Sequence, residues 1–113
     1  MTLLIVGSRS FDDYSRMEQE IFRQYSVDQI DKVISGGAKG ADLLARQFAY
    51  NHNIMFVEYP AKWYELGKQA GIIRNIAMVD ATDEVIAFWD GASRGTAFTI
   101  QYTKEKKKPL YVV

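Results

Sequence analysis

Five short apolar runs, separated by stretches of helical spacing, constrain this chain more than any other feature. The runs cover residues 2–6, 32–35, 54–58, 85–89 and 110–113, and are rich in β-branched and aromatic residues. They are apolar almost without interruption, the pattern of strands covered on both faces. Between them Met17, Ile21, Phe22 and Tyr25 recur at helical spacing, with Ser15 and Glu18 placed as a capping box. Ala41, Leu44, Ala45, Phe48 and Ala49 form a second stripe, and Ile72, Ile73, Ile76 and Ala77 a third. A fourth helix is predicted over residues 95–107. Its late lysines suit the negative end of the helix dipole, and Pro109 stops it.

Strand and helix in alternation predict an α/β fold: a Rossmann-like three-layer α-β-α sandwich with a five-stranded parallel sheet and a central first strand. Ile5, Val33, Ile34, Val85, Ile86 and Ala87 are the expected core. Residues 59–70 show no clear period, and are expected to hold a short helical turn or a lid. Trp63 and Tyr64, within that stretch, could stack on a base. A single domain over residues 1–113 suits the length, because a chain of this size buries roughly two thirds of its unfolded surface.

Composition removes several functions. The chain has no cysteine, which excludes disulfides, thiolate metal sites and cysteine nucleophiles. One histidine without a second is no metal site, and His52 is expected to cap a helix C-terminus. Fourteen Lys+Arg balance fourteen Asp+Glu, which argues against broad attraction to DNA or an anionic membrane but leaves room for a local basic pocket. The opening residues turn polar too quickly for a signal peptide, and no apolar run approaches ~20 residues. The expected location is cytoplasmic, with no membrane contact.

In such a sheet the carboxyl ends of the strands share one edge, and ligands bind there. The unusual residues fall on that edge. Gly7, Ser8 and Arg9 follow the first strand. Ser35, Gly36, Gly37, Ala38, Lys39, Gly40 and Asp42 follow the second, and Asp90, Gly91, Ser93, Gly95 and Thr96 the fourth. Glycines let backbone N–H groups approach an anion, and a following helix N-terminus adds its positive dipole end. The Gly36–Gly40 run is neither a dinucleotide fingerprint nor a Walker A loop, so neither NAD nor ATP is specified. Arg9, Lys39, Arg74 and Arg94 fall in or beside edge loops, the distribution of a local anion pocket, whereas Arg16, Arg23 and Arg46 sit on helices as surface charges. Asp42 suits a helix cap or ribose hydroxyls. Asp90, directly after a buried strand, is the stronger functional carboxylate.

These loops carry a family resemblance. Gly7-Ser8-Arg9, the Ser35-to-Asp42 run, Tyr59-Pro60, Arg74-Asn75 and Gly95-Thr96-Ala97-Phe98-Thr99 occur in the order found in the SLOG superfamily, which includes DprA and the lonely-guy nucleotide hydrolases. Within it the chain resembles the small stand-alone YspA-like branch of bacteria and phages. The resemblance implies a Rossmann-like fold whose glycine loops hold a nucleotide or nucleotide-derived ligand, and self-association into a homodimer or larger. Phe48, Tyr50, Phe98 and Tyr102 are the expected contacts. The lonely-guy enzymes carry a catalytic glutamate three residues after their Gly-Thr pair. Here that position is Thr99, which cannot act as a carboxylate acid or base.

Two functions stay open. One is a binding module that captures a nucleotide-derived small molecule, such as an ADP-ribose-like or cyclic signal, as sensor or sequestering protein without a cofactor. The other is a hydrolase of a nucleotide bond, with Arg74 and Asp90 as catalytic candidates and Mg2+ entering only in that case. A DprA-like nucleic-acid binder is a weaker third reading, because nothing here supplies an additional DNA-binding module.

Overall fold

The computed structural model describes residues 1–62 and 67–113 and has the expected alternation of strand and helix. In chain order the elements are β1 (Thr2–Gly7), α1 (Tyr14–Gln24), β2 (Lys32–Ser35), α2 (Ala41–Asn51), β3 (Met55–Glu58), α3 (Ala70–Asp80), β4 (Glu84–Phe88), α4 (Arg94–Glu105) and β5 (Leu110–Val112). Single 3-10 turns lie at Val27–Gln29 and Gly67–Gln69. The second falls where the sequence suggests a helical turn. Trp63 and Tyr64 lie outside the described residues, and so does their stacking role.

All five strands pair in parallel, in the order β3-β2-β1-β4-β5. The twofold period of a strand divides the core in two. Leu3, Ile5, Val33 and Ile86 pack on one face against Met17 and Ile21 of α1 and Ala45 and Phe48 of α2. Leu4, Val6, Ile34, Val85 and Ala87 pack on the other against Met78 and Val79 of α3 and Ile100 of α4. This is the expected Rossmann-like sandwich, and all six residues expected in its core are buried. Among the described residues no helix is long and apolar enough to cross a membrane.

Four local expectations need correction. The cap of α1 is Asp13, whose side chain accepts from Arg16 N at 3.0 Å; Ser15 lies inside the helix. A capping box does form, but at Ser26 and Gln29. The stripe expected on α3 is not its core face. Ile72 and Ile73 are exposed, and the helix buries Ala70, Asn75, Met78 and Val79 instead. A helix so rich in apolar residues offers two candidate faces, and the sheet selects one. Phe48 is wholly buried in the α2 core and presents nothing to a second copy. Its truncation to alanine would cost ~3–5 kcal/mol. Finally, β3 and β5 are edge strands, with Met55 and Val112 open to solvent although their runs have the pattern of full coverage.

Candidate functional site

β1 and β4 lie side by side, but their helices depart to opposite faces: α1 after β1, α4 after β4. A crevice opens at such a reversal. Ser8 ties the surrounding loops together. Its N–H donates to Phe88 O at 2.9 Å, its Oγ accepts from Asp90 N at 2.9 Å, and its carbonyl accepts from Phe11 N and Ala41 N at 3.1 and 3.2 Å. One buried serine therefore ties the loops after β1 and β4 to the start of α2. Gly40 makes this approach feasible. It has φ +73° and ψ −126°, and a Cβ there would overlap the carbonyls of Ser8 and Arg9. Only glycine fits that combination.

Beside this junction is a cavity of about 280 Å³. The end of β1 contributes Gly7 and Arg9, the β2–α2 segment Ala38 and Asp42, α3 Arg74 and Asn75, and the start of α4 Ser93, Gly95 and Thr96. Three separate loops and α3 thus meet, as the sequence suggests. A second hollow of about 240 Å³ shares Arg9, Ala38 and Arg74 and adds Gly37. The N-terminus of α4 opens beside the cavity without a side-chain cap, so its dipole favours an anion there.

Arg74 is held in place by its neighbours. Nε donates to Asn75 Oδ1 at 2.8 Å and Nη1 to Tyr59 O at 3.3 Å, while Asn75 Nδ2 lies 3.5 Å from Gly95 O. Gly36 passes beneath: a Cβ there would stand 2.5 Å from Arg74 Nη1 and 2.8 Å from Asp42 Oδ2. Arg9 is exposed, and among the described residues neither arginine forms an ion pair. Among the described residues Asp42 is the one carboxylate lining the cavity. Its Oδ1 is 3.0 Å from Ser35 Oγ and its Oδ2 accepts from Ala38 N at 3.3 Å. Burial pushes its carboxyl up; the Ser35 and Ala38 hydrogen bonds, Arg74 and Arg9 oppose this but do not reverse it.

Other candidates fall elsewhere. Asp90 turns its carboxylate back to its own loop, accepting from Ala92 N and Ser93 N at 2.8 Å each; those two bonds hold it below the usual carboxylate range. With Ser8 it borders a separate hollow near Phe11 and Asp13. Ser35 is buried behind Asp42, Lys39 and Gly91 are exposed, and Lys39, Gly40, Gly91 and Arg94 do not line the cavity. His52 is the C-cap of α2, as expected, and its Nε2 lies 2.7 Å from Glu18 Oε2. Thr99 lines the cavity, but its hydroxyl donates to Gly95 O at 3.1 Å.

Sequence reasoning missed Glu58. This last residue of β3 sets its carboxylate over Gly37, 3.0 Å from where a Cβ would stand, and borders the second hollow with Arg9 and Arg74. The available signal was a charged residue ending an apolar run on the ligand edge.

Known proteins match both the loops and the architecture. The sequence model of the YspA, cpYpsA-related SLOG family matches residues 1–65, which hold the loops after β1 and β2. The gene 61 protein of Mycobacterium phage D29 is 33% identical over 119 residues, across 96% of this chain and 92% of that protein. DNA processing protein A from Helicobacter pylori, described for its single-stranded DNA binding mode, superposes with a TM-score of 0.75 at 19% identity. That alignment covers 99% of this chain but 64% of the other, so the likeness speaks for the fold. With the glycine loops, the 3-2-1-4-5 sheet and a phage relative aligned over nearly its whole length, the chain belongs to the YspA, cpYpsA-related SLOG family.

Proposed function

We propose that the cavity holds the phosphate of a nucleotide or nucleotide-derived small molecule, and that the protein acts as a sensor or sequestering module for it. The observation that carries this reading is the pair Arg9 and Arg74, facing a cavity bordered by glycine loops and a helix N-terminus without an ion-pair partner among the described residues. Arginine forks match phosphate geometry, and unpaired cations beside open backbone N–H groups favour an anion. SLOG domains bind nucleotide-derived ligands, which supports the same class. Neutral net charge favours a small molecule over nucleic acid, although the H. pylori neighbour binds single-stranded DNA.

A hydrolase is the second reading, favoured by Asp42, a carboxyl of raised pKa inside the cavity. Against it, Thr99 stands at the glutamate position and Asp90 is turned away. Incubating the protein with a nucleotide panel and analysing retained ligand and products by mass spectrometry separates the two. Ligand recovered intact means binding; a released base or sugar phosphate means catalysis, and Mg2+ dependence would then be tested. Self-association is part of the proposal, with Tyr50 the most exposed of the expected contacts. Light scattering at micromolar concentration that gives only 12.9 kDa would reject it.

A further inference from the structure

We propose that Asp42 serves this cavity as a neutral carboxylic acid, so that an anion and a proton from solvent are taken up together. The inference deepens the proposed function, since it rests on reading the cavity as an anion site.

Proton accounting at Ser35 carries it. Ser35 Oγ lies 2.6 Å from Ile5 O and 3.0 Å from Asp42 Oδ1, but a hydroxyl has one hydrogen. The Ile5 carbonyl cannot donate, and the β1–β2 register ends at Leu4↔Ile34, so Ser35 continues the join between the strands with its side chain. The shorter contact takes the serine proton. A neutral Asp42 donates from Oδ1 to Ser35 Oγ and gives the second contact a proton of its own, whereas an ionised Asp42 has only a share of the serine proton. A carboxyl 8% exposed is suited to that state, because burial penalises the charged form.

The charges around Asp42 couple its proton to a ligand. Arg9 faces Asp42 from the β1–α1 loop and Arg74 from α3; Glu58 of β3 lies beyond Gly37; α4 presents only the uncharged Ser93, Gly95, Thr96 and Thr99. Without a ligand the two arginines favour an ionised Asp42. A bound dianion would engage them and repel a carboxylate in the same cavity, so binding favours the protonated acid. Asp42, which lines the cavity, then stays an uncharged partner for a ligand hydroxyl. Asp42 thereby determines the charge of the ligand admitted. The residue is legible as acidic from sequence, but its role as an acid comes from Ser35.

Sulfate tests this, because its charge is constant between about pH 5 and pH 8 while phosphate titrates. Wild-type affinity should fall with rising pH, by at most about tenfold per pH unit for one linked proton. Asp42→Asn, whose amide can donate to Ser35 as the acid does, should bind sulfate with no such slope. A flat wild-type profile, or the same slope in both proteins, overturns the proposal. Carboxyl-carbon NMR on ligand-free wild type is the independent arm. An Asp42 midpoint raised above the ordinary value of 3.8, and raised further by sulfate, supports the proposal; an ordinary midpoint overturns it. Absence of sulfate binding at every pH would instead overturn the anion site, and the ligand-free midpoint would still decide the state of Asp42.

Discussion

At the amino edge of the sheet, Lys108 Nζ donates to Val79 O and Thr82 O at 2.6 and 2.7 Å, Thr82 Oγ1 donates to Thr2 O, and Thr2 N donates to Asp83 Oδ2. At the carboxyl edge, Arg9 and Arg74 face a cavity and the N-terminus of α4 has no side-chain cap. Both edges have the same origin, strand ends meeting helix ends, and both must satisfy backbone groups. One edge uses its polar groups on itself. The other commits Ser8 and Asp90 to shaping loops, and leaves two arginines without an ion-pair partner among the described residues and a helix N-terminus without a side-chain cap. What distinguishes the two edges is therefore not the number of polar residues but the two arginines that have no ion-pair partner among the described residues.

Five substitutions probe that contrast, in falling order of effect. Gly40→Val should be the most damaging. It combines a forbidden backbone conformation with overlap on the Ser8 and Arg9 carbonyls, and should cost about 3 kcal/mol or more in chemical denaturation. A variant as stable as wild type would mean that the loops after β1 and β2 are not locked together. Arg9→Ala should leave stability unchanged and weaken sulfate or nucleotide binding by ~1.5–3 kcal/mol, roughly 10- to 150-fold, in calorimetric titration. Unchanged affinity would remove the first loop from the site.

Lys108→Met gives the reverse pattern. It strips donors from the carbonyls at the end of α3, so melting should reveal a loss of ~1–2 kcal/mol with ligand affinity intact. A change in affinity would break the separation of the two edges. Asp42→Asn should act through pH. The folded carboxyl titrates above its unfolded value of 3.8, so wild type holds its full stability below that value and loses some as pH rises through the folded value. The variant should match wild type in acid and exceed it near neutrality; a variant weaker at neutral pH would mean that the ionised carboxylate is stabilising. Arg23→Ala, on the exposed side of α1 with a 3.4 Å contact to Glu20, should change both stability and affinity by less than ~0.5 kcal/mol.

Much of the architecture is legible because burial writes directly into sequence. Runs such as Leu3 to Val6 and Val85 to Phe88 are covered on both faces and have no polar period, and Pro109 marks the end of α4's segment before β5. Where two faces are equally apolar the signal fails, as on α3, whose exposed Ile72 and Ile73 have the spacing of a core stripe. The site divides the same way. That the loops after β1, β2 and β4 meet is a consequence of parallel topology. Which residues within them reach the cavity is not: Arg9 lines it and Lys39 does not, though both are cations in glycine-containing loops.

The sequence by itself determined the order of elements, the parallel sheet and the edge that gathers the glycine loops, because the spacing of apolar residues encodes which faces exclude water. Only the tertiary structure decided which groups remain unpaired there. Gly40 is obligatory because of the Ser8 and Arg9 carbonyls, far earlier in the chain, whereas Gly37 meets only the flexible end of the Glu58 side chain. Asp90 is consumed by its own loop, and Asp42 acquires its character from Ser35 and the Ile5 carbonyl behind it. Hydrogen bonding and desolvation depend on distances between residues far apart in sequence, and folding alone sets those distances.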